Sequence, residues 1–281
     1  MARTRSLFSA LTRRGPHRVL RGDLAFAGIP GTVYTPAAGL HLPGVAFAHD
    51  WLTGAEHYTG TLEHLASWGI VAAAPDTHRG VAPSVLNLAY DLGSVLDVIC
   101  GVRLGPGQIS VNPGKLGVVG HGFGGAAAVF AAAGRGGADA VKAAAALFPA
   151  VTKPSARQAA ARLQVPGLVL AAPDDATSLR TEALEIADAW EGSVLRVVKK
   201  ATPGEFPEKR HILRLVGLPG SSSATQRRVR ALLTGFLLFE LTGDKKYKEF
   251  ADAEATLPST AVPDPDAPPV TPEDRIVALF R

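Results

Sequence analysis

The sequence predicts an α/β protein, with a mostly parallel central sheet of about eight strands and helices on both of its faces. Short apolar runs alternate along the chain with longer stretches that carry apolar residues at helical spacing. This alternation is typical of parallel strands joined by helices. Apolar residues make up 47% of the 281 residues and charged residues 19%, which supplies a sizeable core and argues against disorder.

The predicted elements follow one another with short connections. An opening hairpin is expected over about 19–35. The strand candidates after it are Gly44–Ala48, Ile70–Ala74, Lys115–Val119, Ala143–Leu147, Gly167–Ala171 and Ser193–Val198. The expected helices are Thr59–Trp68, Ser84–Val102, Phe123–Ala133, Ser155–Leu163, Thr177–Trp190 and Ala224–Leu241. Because the connections are short, we expect one domain with no large lid domain.

Composition divides the chain into a basic N-terminal arm (1–18), a globular body (19–257) and a proline-rich tail (258–281). The first 22 residues contain six arginines and no acid, and subtracting these six from the net charge of +4 leaves the rest of the chain at −2. No basic patch interleaved with aromatic residues suggests nucleic-acid binding. Prolines block regular structure in most of the tail. A short helix with an apolar face is expected at its end, within residues 271–281.

The N-terminal arm bears on localisation and partners. It lacks the apolar region of a signal peptide, and no stretch approaches the roughly 20 apolar residues of a membrane span. We therefore expect a cytoplasmic protein with no transmembrane segment. A short amphipathic anchor over Ser6–Leu11 would make it peripheral to the membrane, whereas a frayed basic tail is the favoured alternative. A protein partner could bind residues 1–18 or 271–281.

The most informative stretch is the predicted strand-to-helix turn formed by Gly120, His121, Gly122, Phe123 and Gly124. This is the context of the G-x-S-x-G nucleophile elbow, in which small flanking residues let strand and helix approach and a central serine enters the cleft. Glycine replaces that serine here, so acyl transfer through this position is excluded. Glycine also adopts the positive φ of such a turn without steric cost.

A dinucleotide or phosphate loop is the competing interpretation of this glycine-rich turn. The turn follows a strand in the middle of the chain, lacks the G-x-G-x-x-G spacing, and is not followed by a Walker lysine. No cofactor is predicted on this basis.

Four segments in matching order resemble the dienelactone-hydrolase and polyester-hydrolase (cutinase-like) branch of the α/β-hydrolases. They are Pro43–Trp51, Leu65–Thr77, the turn around Gly122, and Phe236–Tyr247. The resemblance implies an α/β-hydrolase fold in which the backbone N–H groups of Trp51 and Phe123 are the oxyanion donors. It also implies that Trp51 forms part of the cleft wall.

The same resemblance places the triad acid at Asp175. The plain alternative is that Asp174 and Asp175 only favour the N-terminus of the following helix. In Ala201–Phe206 the resemblance puts Pro203 where the family's histidine belongs. His211 would substitute if its loop folded back, and an exposed loop histidine is the alternative. The nucleophile and base positions thus hold residues that cannot transfer a proton or an acyl group.

Further polar residues fall at the predicted carboxyl ends of strands, where open α/β sheets bind ligands. His49, Asp50 and His78 are the candidates for the cleft edge. An acid–base site that pairs His49 or His211 with Asp175 is one interpretation. The histidines and acids show no ligand-like spacing, so no metal site is predicted.

The preferred hypothesis is a catalytically inactive homologue, a pseudoenzyme, that binds a small molecule or acyl ligand or serves as a protein scaffold. The alternative is a serine-independent enzyme, esterase-like, lactonase-like or acid–base, that uses a histidine–aspartate pair. A further alternative is a peripheral scaffold that binds membrane or partner through the basic arm and the C-terminal helix.

Overall fold

The alternating apolar runs of the sequence form a nine-stranded sheet in the computed structural model, which describes residues 2–209 and 220–261. The strands are β1 (Val19–Asp23), β2 (Gly31–Pro36), β3 (Gly39–Ala48), β4 (Val71–Pro75), β5 (Ile109–His121), β6 (Ala143–Leu147), β7 (Gly167–Ala171), β8 (Ser193–Val198) and β9 (Thr260–Ala261). Their order across the sheet is β1-β2-β4-β3-β5-β6-β7-β8-β9.

The centre of this sheet is parallel. Strands β4, β3, β5, β6, β7 and β8 pair in parallel, β1 and β2 join antiparallel at one edge, and β9 joins antiparallel at the other. Every residue of β6 and β7 is buried, because parallel strands are covered by helices on both faces. The predicted mostly parallel α/β sheet is confirmed.

Seven α-helices cover the two faces within the described residues. They are α1 (Ala2–Leu11), α2 (Thr59–Ser67), α3 (Val85–Gly101), α4 (Phe123–Gly134), α5 (Arg157–Ala160), α6 (Ala183–Ala189) and α7 (Ser223–Thr242). Helices α3, α4, α5 and α6 contribute to one hydrophobic core, and α1, α2 and α7 contribute to the other. Helices on both faces were expected, and they are present.

The register of the sheet decides which loops meet. Ala48, the last residue of β3, lies opposite Gly120 of β5, and His121 at the end of β5 lies opposite Leu147 of β6. The loop that begins at His49 therefore meets the turn at Gly122 at the carboxyl edge of the sheet.

Two predicted helices are shorter than expected. The helix expected over Ser155–Leu163 is limited to α5, and the helix expected over Thr177–Trp190 is limited to α6. Residues ahead of α6 instead pair with the loop after β6: Val151 N donates to Arg180 O at 3.1 Å, and Glu182 N donates to Pro149 O at 3.0 Å. These contacts hold residues 180–182 against the loop after β6, and α6 begins only at Ala183.

The tail was expected to lack regular structure from residue 258, and its first residues contradict this. Thr260 and Ala261 form β9 on the edge of β8. Neither residue is a proline, so both can take part in the ladder. The helix expected within residues 271–281 lies outside the described residues.

The expectation of a frayed basic tail is wrong for residues 2–11, which form α1. Phe8 is 6% exposed and Leu11 is fully buried, both in the core shared with α7. The Thr4 hydroxyl also donates to the Glu249 carboxylate. The apolar face of α1 is thus packed against the body, while Arg3 and Arg5 remain exposed. Among the described residues, no helix combines the length and apolar character needed to cross a membrane.

Candidate active site

The turn between β5 and α4 consists of Gly122 alone, with φ 56° and ψ −118°. A positive φ is favourable for glycine and strained for other residues. The flanking glycines are required by close packing: a Cβ on Gly120 would lie 1.8 Å from Gly124 O, and a Cβ on Gly124 would lie 2.4 Å from Ala48 O. Strand and helix therefore approach at this turn as the sequence pattern predicts.

Two backbone N–H groups converge on one carboxylate oxygen beside this turn. Trp51 N lies 2.8 Å from Asp50 Oδ1, and Phe123 N lies 2.9 Å from the same atom. Two N–H groups directed at one oxygen at this distance are the usual means of stabilising an oxyanion. The two donors expected from the sequence do come together, and the group that they hold is the chain's own Asp50.

The Asp50 carboxylate also fills the space next to Gly122. A Cβ on Gly122 would lie 2.0 Å from Asp50 Oδ1, 2.3 Å from Cγ and 2.9 Å from Oδ2. Non-bonded atoms do not approach so closely, so a side chain at residue 122 and the Asp50 carboxylate exclude each other in this arrangement. The Asp50 side chain is 22% exposed, so part of it faces the cleft.

A buried polar cluster lies beneath the turn. The Tyr58 hydroxyl lies 2.8 Å from His121 Nδ1 and accepts a hydrogen bond from Asp50 N at 3.1 Å. His121 is fully buried, and its ring packs edge-on against Phe206 and Phe148 at centroid distances of 5.1 and 6.0 Å. This imidazole therefore points into the core and supports the loop that carries Asp50.

Part of the chain that includes the Gly122 turn matches a known protein family. Residues 101–197, about a third of the chain, match the dienelactone hydrolase family, and this segment includes the Gly122 turn and most of the parallel sheet beyond it. The mostly parallel nine-stranded sheet with helices on both faces is consistent with the α/β-hydrolase fold. The family match supports membership of the α/β-hydrolase superfamily, and no curated protein matches the chain.

The ring nitrogens of His49 and His78 lie close to other polar groups of the chain. His49 is 1% exposed, and its Nδ1 and Nε2 lie 2.8 Å from Asp50 O and 2.7 Å from Thr77 O. Both ring nitrogens of His49 therefore face backbone carbonyl oxygens of the chain itself. His78 Nε2 lies 3.5 Å from Asp91 Oδ2. His49 thus lies buried beneath the cleft edge rather than on it.

Asp175, the expected triad acid of the hydrolase fold, follows β7 and is 5% exposed. Its Oδ2 accepts a hydrogen bond from Ala172 N at 2.8 Å, and Asp175 N donates to Ala172 O at 3.1 Å. Burial raises the pKa of Asp175 to about 6, against the lowering effect of its bonds to Ala172 and Thr181. The carboxyl group is turned onto the end of its own strand. His211, its expected partner, lies outside the described residues.

Pro203 occupies the position where the resemblance implies a histidine. It is the first residue of a 3₁₀ turn, Pro203–Glu205, in which Thr202 N donates to Glu205 Oε2 at 3.3 Å. Proline is well suited to this position because its missing N–H has no partner there in any case. The turn leads to Phe206, which is fully buried against His121. The local structure at Pro203 is therefore well formed.

A partly buried ion pair holds the segment that follows Phe206. The Glu208 carboxylate accepts hydrogen bonds from Gly60 N at 2.8 Å and Thr61 N at 3.0 Å, and it pairs with Arg230 Nη2 at 2.7 Å. Burial lowers the pKa of Arg230, and the Glu208 charge opposes that shift. This contact joins the segment to α2 and α7.

The role of Asp50 is the feature that sequence reasoning missed. The sequence pattern indicated Asp50 only as a residue of the cleft edge. Two features of the sequence could have indicated this role. Asp50 comes directly before the donor Trp51, and the elbow residue Gly122 has no side chain. An elbow glycine leaves a volume unfilled, and a neighbouring acid is suited to fill it because N–H groups already point there.

Proposed function

We propose that this protein is a non-catalytic α/β-hydrolase homologue that binds a ligand or a protein partner at its former reaction site. One observation carries the proposal. The Asp50 carboxylate takes the space that a side chain at residue 122 would need, and it occupies both oxyanion-type donors.

This arrangement removes two requirements of ester hydrolysis at once. There is no hydroxyl or thiol at residue 122 to attack a carbonyl carbon. To bind the N–H groups of Trp51 and Phe123, a substrate carbonyl would have to displace the Asp50 carboxylate from them. Hydrogen bonds to an anion are stronger than those to a neutral carbonyl. Pro203, at the position where the resemblance implies a histidine, has no side chain that can act as a base. Loss of a triad member alone leaves only residual catalysis.

Exposed apolar side chains near the turn support a binding role. Trp51 is 48% exposed, Leu52 50% and Val81 79%. The Trp51 indole N–H donates to Val81 O at 3.2 Å, which holds this apolar surface in a defined position. Contiguous exposed apolar surface on a soluble protein commonly marks a binding site. The proposed ligand is accordingly an apolar small molecule, an acyl chain or an apolar protein surface.

The test combines active-site labelling with an esterase assay. We expect the full chain to show no labelling by a fluorophosphonate probe and no turnover of short p-nitrophenyl esters above buffer. An active serine hydrolase is the positive control, and the Asp50→Gly/Gly122→Ser double variant serves as the matched chain with a hydroxyl at the turn. Labelling of the unaltered protein at a serine, together with ester turnover, would contradict the proposal.

A serine-independent enzyme is the second candidate function, and Asp175 favours it. A buried carboxyl group whose pKa is raised to about 6 suits general acid–base catalysis near neutral pH. If this candidate is right, a measured activity on a non-ester substrate falls at least about 100-fold in Asp175→Asn. An activity that is unchanged in this variant rules Asp175 out as its acid or base.

A further inference from the structure

We infer that this protein docks on membranes rich in anionic phospholipids through a basic face that lies opposite the Gly122 turn. The basic face consists of the exposed residues of α1 (Ala2–Leu11), of the arm at residues 12–18 and of the 3₁₀ helix Lys245–Phe250. The inference is independent of the proposed function, because it concerns a second surface of the molecule and a different kind of partner.

Helical spacing divides α1 into a buried side and a charged side. Thr4, Phe8 and Leu11 are 5%, 6% and 0% exposed, and residues three or four positions apart share one side of a helix. Arg3 and Arg5 flank that side and are exposed. Because the apolar side is packed against the body, α1 meets a lipid surface with its charges and does not insert apolar side chains as a free amphipathic helix does.

The contacts of α1 and of the arm hold these cations on the body. The Thr4 hydroxyl donates to the Glu249 carboxylate, which places the first turn of α1 beside the 3₁₀ helix. Gly15 N donates to Ser67 Oγ at 2.8 Å, which fastens the arm to the end of α2. The cations of three segments are therefore held in one surface and do not belong to a loose tail.

The basic face concentrates the positive charge of the chain. Its exposed cations are Arg3, Arg5, Arg13, Arg14, Arg18, Lys245, Lys246 and Lys248. The acids within these segments or bonded to them are Glu63, Asp244 and Glu249. Eight cations against three acids leave an excess of five, whereas the whole chain has a net charge of +4. The rest of the chain is therefore close to neutral.

The basic face lies at the amino edge of the parallel sheet. Ser67, which holds the arm, is the last residue of α2, and the chain then enters β4 at Val71. The Gly122 turn instead follows the last residue of β5, and β4, β3 and β5 run parallel. The two surfaces thus lie at opposite edges of the sheet. A protein that is docked by its basic face keeps the cleft at Gly122 turned toward the solution.

The side chains of the basic face favour a lipid surface over a protein partner. In the part of the chain that the structure describes, none of the large hydrophobic side chains that are exposed lies on α1, the arm or the 3₁₀ helix. Interfaces between proteins depend on apolar and aromatic anchors that become buried. A surface of anionic headgroups needs only accessible lysines and arginines.

The same composition argues against single-stranded nucleic acid. Proteins that bind it stack the bases on exposed aromatic side chains. The aromatic residues of α1 and of the 3₁₀ helix are Phe8, Tyr247 and Phe250, and they are 6%, 5% and 1% exposed. The phosphates of duplex DNA attract cations without stacking, so duplex DNA enters the test as a competitor.

The test measures co-sedimentation of the full chain with two kinds of vesicle, one of phosphatidylcholine alone and one with about 30 mol% phosphatidylserine. At about 50 mM sodium chloride, where charges are weakly screened, we expect binding to the phosphatidylserine vesicles only. At about 300 mM the partition coefficient should fall at least about tenfold, because the attraction is between charges at the surface.

The variant Arg3→Gln/Arg5→Gln/Lys245→Gln/Lys248→Gln removes four charges of the basic face. Each cation near an anionic surface strengthens binding about fivefold, so we expect the partition coefficient to fall at least about 30-fold. The matched control removes four exposed cations that follow β6, β7 and β8, in the variant Lys153→Gln/Arg157→Gln/Arg180→Gln/Lys200→Gln. It should bind within about threefold of the unaltered protein.

The inference is overturned if the unaltered protein does not sediment with phosphatidylserine vesicles, if it binds phosphatidylcholine vesicles equally well, or if the two quadruple variants lose binding alike. Duplex DNA at the same phosphate concentration should leave the protein on the vesicles, and its removal from them would assign the face to nucleic acid instead. These outcomes are independent of labelling and ester turnover, which test the proposed function.

Should the first quadruple variant fail to fold, its two halves decide the matter. Arg3→Gln/Arg5→Gln and Lys245→Gln/Lys248→Gln should each lower the partition coefficient about fivefold or more. If neither double variant changes it, the basic face is not the docking surface and the inference is wrong.

Discussion

Asp50 and Asp175 are both carboxyl groups at the carboxyl edge of the sheet, and they are held in opposite ways. Asp50 Oδ1 accepts a hydrogen bond from Phe123, 73 residues away in the chain, and the side chain stays 22% exposed. Asp175 Oδ2 accepts from Ala172, three residues earlier, and the residue is 5% exposed. One carboxylate depends on two distant segments meeting, whereas the other closes a local turn.

Because of this difference, we expect Asp50 to respond to substitution at residue 122 and Asp175 to respond to pH. The place of Asp50 exists only because residue 122 has no side chain, so a substitution at residue 122 should disturb it. Asp175 is only 5% exposed, and burial raises its pKa to about 6. A change of pH near 6 should therefore alter the contribution of Asp175 to stability.

Gly122→Ser should lower the free energy of unfolding by about 2–5 kcal/mol. A Cβ at this residue would lie 2.0 Å from Asp50 Oδ1, and φ is 56°, so overpacking and backbone strain add together. Replacing Asp50 with glycine in the same chain should restore about 1–3 kcal/mol, because the two side chains compete for one volume. Urea unfolding of the four chains of this cycle measures the coupling.

Gly124→Ala provides the control for that cycle. Its Cβ would lie 2.4 Å from Ala48 O and 2.5 Å from His49 O, and these backbone atoms do not move away when Asp50 is truncated. It should therefore destabilise the chain equally with and without Asp50→Gly. Equal recovery in both cycles, or none in the Gly122→Ser cycle, would show that Asp50 and residue 122 do not exclude each other.

The strands were predictable because short, fully buried apolar runs between turn residues favour a β-strand over other secondary structure. The candidates Ala143–Leu147, Gly167–Ala171 and Ser193–Val198 coincide with β6, β7 and β8. The helix expected over Thr177–Trp190 was too long because residues 180–182 pair with the loop after β6. Such a tertiary contact overrides local helical preference, and it is not visible in the residue pattern.

The site was predictable only in its backbone. The glycine-rich pattern correctly placed a turn with positive φ at Gly122. The destination of the Asp50 carboxylate depends on how closely the loop after β3 approaches α4 and on a side-chain rotation. Neither is encoded in spacing along the chain. The sequence pattern thus indicated a glycine at the place where the resembling family has serine, and the structure shows that Asp50 fills the space beside Gly122.

Asp175→Asn should change the pH dependence of stability by up to roughly 3 kcal/mol. The pKa of Asp175 is raised from 3.8 to about 6 in the folded protein, so the folded state binds more protons than the unfolded state between these values. This contribution is fully present below pH 3.8 and is lost as the pH rises through 6. The unaltered protein therefore loses this one contribution to its stability across the window, and the asparagine variant lacks the contribution.

Urea unfolding of both proteins from pH 4.5 to 7.5 measures this effect. Subtracting the two profiles removes the contributions of all other titrating groups. We expect the stability of Asp175→Asn relative to the unaltered protein to rise with pH and to level off above pH 7. A flat difference would mean that the carboxyl group is hydrated, and the contrast with Asp50 would then be lost.

The smallest expected effect is that of Asp50→Asn at pH 7, a loss of about 1 kcal/mol. The amide keeps the shape of the carboxylate and one acceptor oxygen, so only the added strength of a charge-assisted hydrogen bond is lost. Asp175→Asn should have the opposite sign at this pH, because it removes a charge that burial penalises. Asp188→Asn is the control, since its side chain is 78% exposed beside Arg157 and such surface changes stay within about 0.5 kcal/mol. If Asp50→Asn stabilises the protein as Asp175→Asn does, the N–H groups of Trp51 and Phe123 do not favour an anion over a neutral acceptor, and the two carboxyl groups do not differ in the way argued above.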